Sequence, residues 1–168
     1  AVQGAGVAAV TLLESVERAA HDLRRGLAVI VDGDDGSVIA AAAEGADALR
    51  IARVGDLAAA SPDILLTHAR ATTLKMRLYT PEIVAIEPPP DDRARWLAAL
   101  IDPTSDMAHP LGGPYQAKRT TLPSAYAASV NLAKRAGLLP ATIAAPLDAA
   151  RANLVAREDR LERVAAVD

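Results

Sequence analysis

Three closely spaced aspartates are the first residues of this chain whose types and spacing could support chemistry. Asp32, Asp34 and Asp35 lie in the segment DGDDG, and this glycine and aspartate composition favours a turn. Clustered carboxylates on a turn suit a hard divalent cation such as Mg²⁺ or Ca²⁺. The more ordinary interpretation of such a pattern is a solvated hairpin turn that holds no ion. The segment therefore has two interpretations, a weak metal site with Mg²⁺ as the cofactor or a polar turn.

Two further groups contain polar side chains that could act on a ligand. His68 and Arg70 follow a predicted strand, and ligands often dock at strand ends in open sheets, although such residues also occur on ordinary surface. The second group lies in a polar connection with glycines, and its candidate members are His109, Lys118, Arg119 and Thr120. The two histidines are the candidate catalytic residues, and the cationic side chains and the threonine are candidates for holding an anionic substrate. The spacing of the second group does not match that of a P-loop. The alternative interpretation of this group is therefore a mobile loop that binds no ligand.

Composition narrows the classes of function. The 168-residue chain has 18 basic and 21 acidic side chains, well interspersed, and a formal net charge of −3, so we expect no nucleic-acid partner. The absence of cysteine excludes disulfides, thiolate catalysis and cysteine-ligated metals, and it fits the cytoplasm. The apolar runs are shorter than a membrane span, and residues 1–10 have no basic leader of the kind that opens a signal peptide.

The first half of the chain contains the elements that would position the aspartates. Thr11 and Glu14 form a capping-box pattern, which predicts a helix over about 12–25. Two apolar runs, Leu27–Val31 and Ser37–Ala43, flank the aspartate turn and predict a β-hairpin. The aspartates would therefore lie at the tip of the hairpin.

The remaining elements predict an α+β domain with a mixed sheet in three layers. The predicted helices are 46–53, 68–77, one that Asp91 or Asp92 caps, and 123–136; the predicted strands are 64–66 and 141–145. Residues 102–121 read as a long polar connection, and such connections are functional or disordered. We expect a flexible segment over 1–10, the domain over 11–150, and a charged tail or linker over 151–168.

Two segments resemble a known enzyme family. Residues 15–35, SVERAAHDLRRGLAVIVDGDD, and residues 124–145, SAYAASVNLAKRAGLLPATIAA, resemble the opening helix and strand and the closing helix and strand of 3,4-dihydroxy-2-butanone-4-phosphate synthases. The resemblance implies the fold of that family, shortened in the middle. It also implies the homodimeric partner of the family and a riboflavin-pathway context, in which such domains often precede a GTP cyclohydrolase II domain.

The chemistry that the resemblance implies is missing at the matching positions. The family rearranges a pentulose phosphate with a divalent cation and releases formate, which requires metal-binding carboxylates and a positioned acid or base. The acidic loop of the family has an Arg and two Glu where this chain continues as Gly36-Ser37-Val38, and its His, Thr and Glu fall on Ala125, Tyr126 and Ala127. We expect Tyr126 to occupy the space of a substrate.

The resulting hypothesis is a catalytically silent synthase-like domain with a structural, dimerising or regulatory role, fused to or associated with a GTP cyclohydrolase II domain. One alternative is a metal-dependent enzyme on a sugar phosphate that uses a relocated site formed by Asp34, Asp35, His68 and His109. Another is a sensor domain for a nucleotide or flavin.

Overall fold

A computed structural model describes residues 2–108 and 114–166 of the chain. The helices are α1 (Val2–Arg24), α2 (Ala48–Ala58), α3 (His68–Thr73), α4 (Arg93–Ile101), α5 (Ser124–Arg135) and α6 (Ala149–Glu158). The strands are β1 (Val29–Gly33), β2 (Gly36–Ala42), β3 (Asp63–Thr67), β4 (Ile83–Ile86), β5 (Ala141–Leu147) and β6 (Arg163–Ala165).

Helix α1 has the predicted apolar stripe but is longer than predicted. Val16, Ala20 and Leu23 recur at helical spacing and are buried against the sheet. The helix begins at Val2, so the predicted start near residue 12 is wrong, and the segment 1–10 is helical from its second residue. The capping-box pattern lies inside the helix because alanine-rich residues upstream extend it at low cost once it has formed.

The predicted hairpin is confirmed. Strands β1 and β2 pair antiparallel with Gly33 opposite Gly36, which leaves Asp34 and Asp35 as a two-residue turn. The strands are buried because Val, Ile and Ala side chains alternate between the two faces of the sheet. The aspartates are therefore fixed at the tip of a central hairpin.

The strands form one mixed six-stranded sheet in the order β4-β3-β5-β2-β1-β6. Strand β6 runs parallel to β1, and every other neighbouring pair is antiparallel. Helices cover both faces: α1 and α5 pack on one face, and α2, α4 and α6 pack on the other. The predicted α+β class with a mixed sheet and three layers is confirmed.

The charged end of the chain belongs to the sheet, which differs from the predicted tail or linker over 151–168. Ala152 and Val155 of α6 are buried in one core, and Val164 of β6 is buried in the other. The exposed Arg157 and Glu158 of α6 made the segment resemble a solvated tail, whereas Arg151 of the same helix donates to the Leu57 carbonyl of α2 at 2.7 Å. Strand β4, which the sequence did not predict, is short and lies between Pro81 and the Pro88–Pro90 break.

Helix α3 ends at Thr73 and not at residue 77 as predicted. Lys75 adopts a left-handed conformation with φ 59°, and the Met76 amide donates to the Ala71 carbonyl at 2.9 Å. This pairing closes the helix end as a Schellman-type turn does. In the next helix, Asp92 occupies the N-cap position of α4, as predicted, but its side chain makes no capping hydrogen bond.

The described parts of the predicted connection 102–121 contain a short 3-10 helix, Pro103–Ser105, and an extended stretch after residue 113. The extended stretch follows β4, since the Lys118 amide donates to the Ala85 carbonyl at 2.8 Å. In the described ranges, no helix has the length and apolar character that a membrane span requires.

Candidate functional site

The two ends of the sheet hold different predicted site residues. Strands β2 and β3 both pair antiparallel with β5 and so run in the same direction. The turn with Asp34 and Asp35 therefore lies at the same end as Asp63, the first residue of β3, while His68 and Arg70 follow its last residue. A strand of this length spans about 13 Å at about 3.3 Å per residue. The relocated site that combines Asp34 and Asp35 with His68 is not brought together.

Asp35 caps the beginning of α5. Its carboxylate accepts the Ser124 backbone amide at 3.1 Å and the Ser124 hydroxyl at 2.7 Å. Hydrogen bonds from the Ser124 side chain and then its amide lower the pKa of the Asp35 carboxyl below the ordinary 3.8. The end of β1 and the beginning of α5 approach each other closely, and a Cβ atom on Gly33 would lie only 2.6 Å from Ser124 Oγ.

Asp32 has a different role, because it holds β6 on β1. The Arg163 guanidinium donates to its two oxygens at 2.6 and 3.0 Å, and Ser37 Oγ donates at 2.5 Å. Burial raises the pKa of Asp32, but the hydrogen bonds from Arg163 and Ser37 and the Arg163 charge outweigh it, so the pKa falls below 3.8.

The three aspartates of the turn therefore do not converge on one point. Asp32 pairs with Arg163, Asp35 pairs with Ser124, and Asp34 is exposed. Across residues 2–108 and 114–166, no group of three or more His, Cys, Asp or Glu side chains could hold a metal ion. The arrangement in this structure is that of a structural turn in which two of the three carboxylates, those of Asp32 and Asp35, bind protein donors.

A polar cluster of Asp63, Lys118 and Tyr126 lies at the same end of the sheet; we call it the buried cluster because its carboxylate and phenol are buried, whereas the Lys118 side chain is 36% exposed. Asp63 is 5% exposed, and its Oδ2 accepts the Tyr126 hydroxyl at 2.9 Å. Lys118 Nζ lies 2.6 Å from Oδ1 in an ion pair. Burial and then the Asp63 charge and hydrogen bond raise the pKa of Tyr126, so the phenol stays protonated and acts as a donor.

The surroundings of Tyr126 make it part of the core. The residue is 1% exposed, and its backbone carbonyl accepts the Ser129 hydroxyl at 2.8 Å. Ser129 Oγ also lies 3.0 Å from Thr142 Oγ1 on β5. Tyr126 is thus held at its hydroxyl and at its backbone, and Ala125 beside it is fully buried. Ala125 and Tyr126 in the first turn of α5 therefore provide no catalytic acid or base, and their side chains fill the core at this position.

The predicted residues at the opposite end bind the main chain and a neighbouring acid. His68 Nε2 lies 2.7 Å from the Thr80 carbonyl oxygen. Arg70 donates to both Asp106 oxygens, at 2.6 and 2.8 Å, and to the Leu100 carbonyl at 2.8 Å. Arg70 fastens the end of α4 to α3 and is not available to an anion.

The candidate anion-binding residues of the connection point in different directions. Lys118 is paired with Asp63, whereas the Arg119 guanidinium lies over the Tyr79 ring at 4.7 Å from its centroid. Thr120 is exposed. His109 lies outside the described residues. Lys118 also lines a cleft of about 450 Å³ with Trp96.

Sequence reasoning missed Asp63, which organises the buried cluster. Its only sequence signal is an acidic residue between Pro62 and the apolar run that forms β3. An acid at that position is consistent with ordinary surface. Its two partners follow 55 and 63 positions later, so the cluster could not be found from local patterns.

The comparisons with known proteins agree with this fold. No protein-family model matches the chain. A GTP cyclohydrolase-2 from Azospirillum brasilense is 36% identical over 135 residues, which are 80% of this chain and 35% of that protein. The chain therefore spans about a third of the length of this curated relative.

Solved structures of synthases superpose on most of the chain. RibBX, a two-domain 3,4-dihydroxy-2-butanone 4-phosphate synthase from A. baumannii, has a TM-score of 0.69 and 18% identity, over 90% of this chain and 55% of that one. The synthase of Candida albicans has a TM-score of 0.69 and 18% identity, over 90% and 93%. A synthase in complex with two magnesium ions has a TM-score of 0.64 and 17% identity, over 90% and 92%. The chain is therefore a domain with the fold of 3,4-dihydroxy-2-butanone 4-phosphate synthase, related in sequence to about a third of a GTP cyclohydrolase-2.

Proposed function

We propose that this chain is a catalytically silent synthase-like domain of a riboflavin-pathway protein of the GTP cyclohydrolase-2 type. The fold and the 36% identity to such a protein support the context. The main support for the lack of synthase activity comes from the residues at the beginning of α5. There, Ala125 and Tyr126 replace a His and a Thr of the synthase family, and Tyr126 is buried on Asp63.

The carboxylates of the hairpin turn support the same proposal. Metal-assisted chemistry on a sugar phosphate needs oxygen ligands that can face the cation and the substrate together. In this chain, Asp35 accepts the Ser124 donors and Asp32 accepts the Arg163 guanidinium. Recruiting either carboxylate to a metal would cost a helix cap or the clamp on β6.

An assay of formate release tests the silence directly. We expect the purified chain with ribulose 5-phosphate and Mg²⁺ to release formate no faster than buffer, while the Candida albicans synthase in the same assay releases it readily. The Tyr126→Thr variant should be equally inactive, because one restored side chain provides neither metal ligands nor an acid. Formation of the four-carbon product by the unmodified chain would reject the proposal.

For the role of the domain, we propose the burial of an interface with a second copy. Val10 and Leu13 of α1 are 55% and 61% exposed, which leaves an apolar face on a helix whose other side packs in the core. An uncovered apolar face of this kind favours association.

Light scattering after size exclusion tests this interface. We expect a dimer for the unmodified chain and a monomer for Leu13→Glu. Leu154→Glu on α6 is the matched control, because Leu154 is also exposed, at 43%, but lies on the other side of the sheet, and it should stay dimeric. A monomeric unmodified chain would contradict the dimerising role and would leave the formate result unaffected.

A second candidate function, a ligand-sensing domain, is favoured by one observation. A cleft beside the extended stretch is lined by three cationic side chains that have no acidic partner within the described ranges.

A further inference from the structure

A basic cleft lies between the α3–β4 connection and the extended stretch that follows residue 113. Its volume is about 290 Å³. The lining includes three cations and three neutral polar side chains: Lys75, Arg77, Arg119, Tyr79, Tyr115 and Gln116. No carboxylate is among the residues that line it.

The three cations of the basic cleft differ from the other well-placed cations of the chain. Arg70, Lys118 and Arg163 each form an ion pair at 2.6 Å. By contrast, the basic-cleft cations make no side-chain hydrogen bond or ion pair with any residue in the described ranges. Three uncompensated positive charges that share one cleft are unusual in a protein with a net charge of −3, and they create a local positive potential.

The Arg119 side chain is held in place before any ligand arrives, and Lys75 occupies a left-handed backbone position. The Arg119 guanidinium lies over the Tyr79 ring, 4.7 Å from the centroid, and this stacking leaves its N–H groups available. Lys75 has φ 59°, a conformation that glycine adopts without strain and lysine does not. Lys75 is the left-handed residue of the turn that closes α3, and lysine there costs stability relative to glycine.

We propose that the basic cleft binds a compact polyanion of the diphosphate class, either free pyrophosphate or the diphosphate group of a nucleotide. A monophosphate carries about −1.5 to −2 charges near pH 7, so it would leave one of three cations uncompensated. A diphosphate has the additional charge and acceptor oxygens that match the third cation. Gln116 and Tyr115 supply neutral donors beside the cations.

This binding site is independent of the silent-synthase proposal. Arg119 and Lys118 are adjacent, but Lys118 faces the buried Asp63 while Arg119 faces Tyr79 on the surface. Ligand binding in the basic cleft therefore requires no change in the buried cluster. If pyrophosphate did not bind, the proposal that the synthase site is silent would be unaffected.

Titration calorimetry of the full chain at low ionic strength tests the inference with pyrophosphate, phosphate and ADP. We expect saturable pyrophosphate binding at least about tenfold tighter than phosphate binding, and weaker binding in added salt. Tighter binding of ADP than of pyrophosphate would assign the site to a nucleotide, and weaker binding would assign it to free pyrophosphate. Phosphate binding as tightly as pyrophosphate would overturn the proposal.

Variants locate the site. Arg77→Ala and Arg119→Ala should each weaken pyrophosphate binding about tenfold, whereas the control Arg157→Ala, an exposed arginine on α6, should not. Lys75→Gly should weaken binding and yet raise the unfolding temperature, because glycine relieves the left-handed strain. Undiminished affinity in the Lys75→Gly/Arg77→Ala/Arg119→Ala variant would overturn the assignment.

Discussion

The Asp63 carboxylate is buried at one end of the sheet, and two side chains from distant parts of the chain bind its oxygens. Isolating a carboxylate from water costs several kcal/mol unless it is paired and hydrogen-bonded. Here Lys118 supplies the opposite charge and Tyr126 supplies a neutral hydroxyl donor. The cluster therefore links the start of β3, the extended stretch and α5 through one acidic side chain.

We expect Tyr126→Phe to lower the free energy of unfolding by about 2 kcal/mol. The substitution preserves the ring and removes the hydroxyl that donates to Asp63 Oδ2, and hydrogen bonds to charged groups contribute about 1.5–3 kcal/mol. Urea denaturation followed by circular dichroism measures the change.

The matched control for this substitution is Tyr79→Phe. Tyr79 is 39% exposed and forms no side-chain hydrogen bond with a described residue, so the loss of its hydroxyl should change stability by less than about 0.5 kcal/mol. Equal losses in the two variants would mean that the Tyr126 hydroxyl contributes nothing specific to the fold.

At the scale of elements, α5 begins without a capping side chain of its own. Pro123 occupies the N-cap position and offers no side-chain acceptor, so the first amide groups of the helix need a partner from elsewhere. Asp35, at the tip of the β1–β2 hairpin, provides it. The turn that resembles the acidic loop of the synthases therefore acts here as a tertiary helix cap.

We expect Asp35→Ala to destabilise the chain at neutral pH and to lose this effect in acid. The pKa of Asp35 is lower in the folded chain than the ordinary 3.8, because the ionised carboxylate accepts the Ser124 donors. Its contribution is therefore complete above pH 3.8 and disappears as the pH falls through the lower folded-state pKa. Urea midpoints of the variant and the unmodified chain at pH 7, 5 and 3 measure this convergence.

Asp34→Ala is the matched control for the cap, since Asp34 is the exposed neighbour in the same turn. It should leave the urea midpoint unchanged at each pH. A gap between Asp35→Ala and the unmodified chain that is as large at pH 3 as at pH 5 would show that the carboxylate charge is not the source of the stabilisation.

The sequence predicted the elements that carry a strong local pattern and missed those that depend on distant partners. The hairpin and α5 have clear turn and stop signals, and both are confirmed. Strand β4 has four residues between prolines, and β6 has three, which is too short for alternation to be read. Likewise, the aspartate triplet was recognised as a turn, but its division between Arg163 and Ser124 depends on segments more than 80 positions away.

At the scale of the whole molecule, the final segment completes the sheet that the first segment begins. The Ile30 amide donates to the Glu162 carbonyl at 2.9 Å, and the Ala166 amide donates to the Asp32 carbonyl at 2.7 Å. These bonds cover β1, which would otherwise be an exposed edge, and exposed edges promote association between chains. Residues 148–166 are thus part of the folded unit.

Truncation of the chain tests whether the final segment is structural. Ending the chain at Leu147 removes α6 with its buried Ala152 and Val155, and we expect loss of a cooperative urea transition. Ending it at Arg160 removes β6 alone and should leave a folded but less stable protein that aggregates through β1. Arg163→Ala keeps the strand and loses only its pair with Asp32, so its effect should be smaller than that of either truncation. If the chain that ends at Leu147 unfolded at the same urea concentration as the full chain, residues 148–166 would be a linker, and the sheet would be complete without β6.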